Sequence, residues 1–221
     1  MARWALPLAL PPPAAGAWGD RRQLGVVLRT PGVLDASMTS AVLTVVQTGV
    51  LVFLFPLYLV NRGGLGPQAV GMLASVSILG RLVALWLGGS VSDRWGRRRV
   101  LVSGLLVYAA LLSSVAFLTH AIALSLWSLA LGAAAGFVAP LPTAVVADGV
   151  LPPLHGLAIG WLRTITDTGQ LLGPLLMGAC ADAVDLSAPF HLGAALLLAM
   201  AWRWGHQARV TPAAAATAGR S

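Results

Sequence analysis

Six apolar stretches, each near twenty residues long, alternate with short polar or glycine- and proline-rich connections through most of the chain. They run over about 38–60, 68–90, 99–118, 121–147, 155–180 and 188–205. A helix rising about 1.5 Å per residue needs roughly twenty residues to cross about 30 Å of hydrocarbon. Each run therefore predicts a bilayer-crossing helix. None alternates with a period of two, as barrel strands do, and lipid admits only structures that close their own backbone hydrogen bonds. The connections carry turn chemistry: NRGGLGP at 61–67, the charged stretch after Gly88, Thr119 and His120, DGVLPPLHG at 148–156 and DAVDLSAP at 182–189. The pattern predicts an all-α, polytopic membrane protein with six transmembrane helices. The membrane domain spans 37–206, between a tail with a basic juxtamembrane segment at 1–36 and a second tail at 207–221.

Composition agrees: charged residues make up 10% of the 221, against about 25% in soluble domains. The net charge of +7 would suggest nucleic acid in a soluble protein. Here the arginines flank apolar runs, which points to anchoring and orientation in the bilayer and away from a nucleic-acid partner. With a cytoplasmic N-terminus, Arg3, Arg21, Arg22, Arg29, Arg94, Arg97, Arg98, Arg99, Arg203, Arg209 and Arg220 all fall inside, and Arg62 outside. The imbalance predicts a multi-pass protein of the cell membrane with both termini cytoplasmic. The opening MARWALPLAL faintly resembles a signal peptide, but Pro7 and Pro11 to Pro13 interrupt it, so a tail is the expectation. A single cysteine, Cys180, excludes an intrachain disulfide and any cysteine metal cluster. The four histidines lack ligand spacing, and a chain without lysine has no phosphate-binding loop of the glycine-lysine kind. No catalytic constellation is present, so neither an enzyme nor a cofactor is expected.

Charges inside the runs carry more information. Arg163, Asp167 and Gln170 stand at i, i+4 and i+7 on one face of the fifth helix. Arg81 is embedded in the second, with Ser77 one turn earlier on the same face. Unpaired charge at such depth is costly, so a partner or a watery cavity is implied. An Arg163–Asp167 pair within the helix is one account. A part in substrate binding or proton coupling is the other, and then Asp167 is the leading carboxylate, because desolvation favours its neutral form. Asp148, at the inner end of the fourth helix, is a candidate interface charge and partner for the arginine loop. Thr44, Gln47 and Thr48 share one side of the first helix, either bonding a neighbouring helix or lining a cavity. Gly169, Gly173, Pro174 and Gly178 read as a close-packing face with a kink.

The loop itself reads Gly89, three residues, Asp93, Arg94, Trp95, Gly96, Arg97, Arg98. A charge cluster this dense belongs at a membrane surface. A generic basic flank would need no glycines at set spacing, whereas a latch would: Gly89 for close approach, Gly96 for a tight turn. The order resembles the signature loop of the major facilitator superfamily of transporters, with Val91 and Ser92 in place of its usual leucine and alanine. GQLLGPLLMG at 169–178 is similar to the family's antiporter motif but departs from it at Ile165 and Met177. The resemblance implies secondary transport of a small molecule by alternating access, with Asp93, Arg94, Arg97 and Arg98 latching one conformation across the interface between two halves. It also implies that the first and fourth helices line the cavity, which makes Gln47, Thr44 and Trp127 candidates for the substrate site. Family members have two six-helix halves. Six helices here imply one half, and RRQLGVVLRTPGVLD with FPLYLV favours the C-terminal one. A second half, a copy or a separate chain, is then the expected partner beside the lipid bilayer. The alternative is a non-transporting scaffold or an inactive remnant.

Overall fold

A computed structural model of the chain describes residues 21–30, 32–61, 64–118 and 120–207. These residues are almost entirely helical and include no strand. A short α1 (Arg21–Arg29) leads into α2 (Val33–Asn61), whose middle, Val46–Leu54, is wound as a π-helix between α-helical flanks. Then follow α3 (Pro67–Trp95), α4 (Arg97–Ser113, ending in a 3₁₀ turn Ser114–Phe117) and α5 (Ala121–Val138). The chain continues as α6 (Leu141–Gly149), α7 (His155–Ala183) and α8 (Ala188–Gln207). A turn at Ala139 and Pro140 separates α5 from α6, which together make one crossing.

The six expected crossings are thus α2, α3, α4, α5 with α6, α7 and α8. Val33–Asn61, Pro67–Gly88 and Ile122–Gly149 are long and apolar enough to cross a membrane by themselves. The other three carry polar loads: α4 opens on three arginines, α7 holds Arg163 and Asp167, and α8 ends near Arg203. The charged connection after Gly88 differs from the expected loop, since α3 runs on through Trp95 and α4 begins at Arg97. At 29 residues, α3 is roughly 43 Å long and outreaches the hydrocarbon, so its charged end can stay helical in the headgroup layer. The whole link is Gly96, at φ +86°, a left-handed conformation that a side chain would strain.

Three helix pairs dominate the packing: α3 with α5, α4 with α8, and α2 with α7. Exchanging the first three crossings for the last three maps this set onto itself, as two inverted three-helix units would. Glycines set two of the seams. A Cβ on Gly136 would stand 2.9 Å from Arg81 Cα, and one on Gly132 2.7 Å from the Ser77 carbonyl carbon. Across α2 and α7, a Cβ on Gly49 would lie 2.8 Å from the Gly173 carbonyl carbon. Without hydrophobic drive between helices in lipid, such close backbone approach supplies the packing. Leu54, Leu101, Leu105, Tyr108, Leu131, Phe190 and Leu197 fill the centre. In contrast α3 and α7 turn Ile78, Leu82, Val83, Trp86, Leu171 and Leu175 outward.

Candidate functional site

Arg81 stands in the middle of α3, about 21 Å from its start at 1.5 Å per residue, and Gln47 is the second residue of the π-helical segment of α2 opposite it. With its amide oriented to suit both groups, Gln47 Oε1 accepts hydrogen bonds from Arg81 Nη2 at 3.0 Å and from Nη1. Gly136 makes this possible, because its missing side chain lets the backbone of α5 lie against Arg81.

The pair bars a cleft into two compartments. On the side toward the C-terminal end of α2, a cavity of about 240 Å³ is walled by Leu51, Val52, Phe55, Val70 and Ile78, with Ser77 beside Arg81. On the other side, a cavity of about 330 Å³ is lined by Ser40, Thr44, Thr143, Thr166 and Arg163. Gln47 and Arg81 border both. The first is an apolar trough and the second a hydroxyl-rich one. Thr44 and Gln47, grouped on one side of α2 by sequence, do face this cleft. Thr48 instead donates to the Thr44 carbonyl at 2.8 Å and lies in the α2–α7 seam against Gly173.

Trp127 requires a correction. The structure buries it in the core, off both compartments. Its Nε1 donates to Leu111 O at 2.9 Å and to Ser114 Oγ at 3.0 Å, and its ring packs on Phe55 with centroids 5.3 Å apart. An indole whose N–H is already satisfied between α4 and α5 is a packing residue.

On α7 the structure brings Arg163 and Asp167 together, Nε to Oδ1 at 3.1 Å. Both side chains stay largely open, 74% and 52% exposed, and Gln170 is exposed beside them. Gly169 and Gly173 occupy the opposite, buried face against α2, a Cβ on Gly169 falling 3.0 Å from Ala41 O. A Cβ on Gly178 would meet only Phe53 at an ordinary 3.7 Å. Pro174 sits inside the helix, where its missing N–H leaves the Gln170 carbonyl without an intrahelical partner.

The arginine turn is tied inward. Arg97 Nη1 meets Asp148 Oδ2 at 2.8 Å and donates to Ala144 O at 2.7 Å, fastening α4 to α6. Arg98 Nε donates to Trp204 O at 3.0 Å, and its guanidinium lies 5.9 Å from the Trp204 ring centre, fastening α4 to α8. These described contacts of Arg97 and Arg98 stay inside the six-helix bundle, although the resemblance implied a role across halves. Arg94 is exposed, and Gly89 and Asp93 lie outside the described side chains. Sequence reasoning missed a second tie at this end: Arg203 Nε donates to buried Asp35 Oδ1, and Trp204 Nε1 donates to Thr39 Oγ1 at 2.9 Å. Its signal was there, a lone acid opening the first run and a lone base closing the last. Among the described residues no cluster of His, Cys, Asp or Glu is placed to hold a metal.

Residues 37–220 match the model of the Major Facilitator Superfamily. Among curated proteins, multidrug resistance protein MdtG of Serratia proteamaculans (strain 568) is 32% identical over 152 residues, covering 65% of this chain and 36% of that protein. MdtG of Proteus mirabilis (strain HI4320) is 33% identical over 127 residues, 58% of this chain and 31% of its own. Quinolone resistance protein NorA of Staphylococcus aureus (strain Mu50 / ATCC 700699) is 28% identical over 150 residues, 67% and 38% of the two chains. The chain spans about a third of the length of these relatives.

Proposed function

The chain belongs to the major facilitator superfamily, and on that premise we propose that it is one six-helix half, the C-terminal one, of a secondary transporter that exports small amphipathic compounds across the cell membrane. The observation that carries this reading is the mid-membrane cleft barred by Gln47 and Arg81, with one apolar and one hydroxyl-rich compartment. Ligand sites of this kind combine apolar walls with few convergent polar groups. The names of the MdtG and NorA relatives, multidrug and quinolone resistance, favour drug-like cargo.

The geometry supports alternating access as the mechanism. The outward face of α7 carries Arg163 and Asp167, so a second six-helix bundle closing on that side would roof the cleft and remove both from lipid. Rocking of the two bundles would open one compartment at a time. The ties at Arg97, Arg98 and Arg203 make this half move as one body, leaving exposed Arg94 to reach across. The arginine count supports a cytoplasmic position for both termini. Proton coupling is assigned to Asp167, about 18 Å along α7 at 1.5 Å per residue, with Arg163 as its ion-pair partner.

The test is export of a fluorescent drug by vesicles holding this chain, alone and with a second six-helix half supplied as a copy or a separate chain. Accumulation that needs the second half and a proton gradient is expected, and Asp167→Asn should remove the gradient dependence. No accumulation in any arrangement would favour a scaffold or remnant; accumulation by strict monomers would sink the need for a second half.

A further inference from the structure

The cleft carries an excess positive charge that no carboxylate balances among the described residues. Arg163 is offset by Asp167, Arg97 by Asp148 and Arg203 by Asp35, each pair in contact. Arg81 has the neutral amide of Gln47, and no carboxylate pairs with it among the described residues. A guanidinium has five donors in a planar fork suited to a carboxylate, phosphate or sulfonate. Beside it, the hydroxyls of Ser40, Thr44 and Thr143 make no hydrogen bond within the described residues. A guanidinium and three idle hydroxyl donors converge on one compartment, while Leu51, Phe55, Val70 and Ile78 wall the other.

We propose that the cleft selects amphipathic organic anions, with the acidic head on Arg81 and the hydroxyls of Ser40, Thr44 and Thr143, and the apolar tail in the trough lined by Leu51, Phe55, Val70 and Ile78. This deepens the transport reading, on which it rests for the identity of the site. A cation would meet like charge, and a neutral compound would leave the guanidinium without its counter-ion. The bound head takes the place of the Gln47 amide on Arg81. Binding therefore removes the bar between the compartments, so the cargo itself joins them.

The experiment uses membrane vesicles of the native host carrying the tagged full chain, where any second half is also present. A photoreactive aryl carboxylate is compared with its primary amide, and the labelled peptides are mapped by mass spectrometry. The acid should label the Leu51–Phe55 and Val70–Ile78 stretches at least tenfold better than the amide. Arg81→Gln should erase that preference, Arg81→Lys should keep part of it, and Arg99→Gln, outside the cleft, should leave it intact. If Arg81→Gln fails to assemble, Gln47→Glu gives the same reading, since an internal carboxylate on Arg81 should displace the acid tenfold or more. Equal labelling by acid and amide overturns the proposal, and covers the case in which a carboxylate of the second half already sits on Arg81. Labelling that survives both Arg81→Gln and Gln47→Glu overturns it as well. Acid preference without drug accumulation would sink transport and spare the anion site; accumulation without acid preference would do the reverse.

Discussion

Asp35 and Asp148 both end a crossing helix and both meet an arginine, yet their surroundings give them different weight. The Asp148 side chain is 62% exposed, and surface pairs of that kind are worth about 0–1 kcal/mol. The Asp35 side chain is 9% exposed, and although Arg203 is 46% exposed, a charge-assisted hydrogen bond to a buried carboxylate is worth about 1.5–3 kcal/mol. Thermal unfolding in detergent should therefore separate Asp35→Ala, strongly destabilised, from Asp148→Ala, close to the parent; the opposite order would refute the assignment. Trp127 makes a second residue-scale prediction. Trp127→Phe should lose about 1 kcal/mol for the indole hydrogen bonds and leave drug binding by the purified chain unchanged. Weakened binding at unchanged stability would return Trp127 to the substrate site. The sequence could not decide its direction, because in a helix that is apolar all round no period marks the inward face. Arg81 and Gln47 were legible for the opposite reason, since polar groups inside an apolar run stand out and must be satisfied somewhere.

At the scale of elements, glycines separate into those the packing needs and those it does not. Gly136→Val and Gly49→Val push side chains into a neighbouring backbone, which overpacking data put at about 1–3 kcal/mol or more. A methyl group added at Gly71 or Gly160 would meet nothing within 4 Å, so Gly160→Ala should be tolerated. Size-exclusion profiles in mild detergent check this: aggregation of the first two with a normal profile for Gly160→Ala is expected, and the same profile for all would be contrary. Gly169 and Gly173 could be picked from their four-residue spacing. Gly132 and Gly136 stand at the same spacing and went unread, while Gly49 and Gly80 have no glycine four residues away, so spacing does not tell them from filler. The π-helical winding of Val46–Leu54 was equally hidden. VQTGVLVFL holds no proline, and the winding accompanies the close approach of Gly49 to Gly173.

The whole molecule is three helix pairs arranged so that the first and last three crossings are interchangeable. Its membrane orientation is testable in a Cys180→Ser background. Arg99→Cys should react with an impermeant maleimide in inverted vesicles alone, and Val184→Cys in right-side-out vesicles alone. Reversal of the two would overturn the cytoplasmic placement of the arginine turn. The sequence by itself determined the membrane class, the helices and their order, and the buried charges that had to matter. Run length and charge density are properties of the chain alone, and hydrocarbon enforces them. What tertiary structure decided is which charges meet. The inward ties of Arg97, Arg98 and Arg203, the burial of Trp127 and the bar between Gln47 and Arg81 each join groups far apart in sequence. Such contacts depend on how closely two backbones approach, and that distance is set by the shapes of both surfaces together.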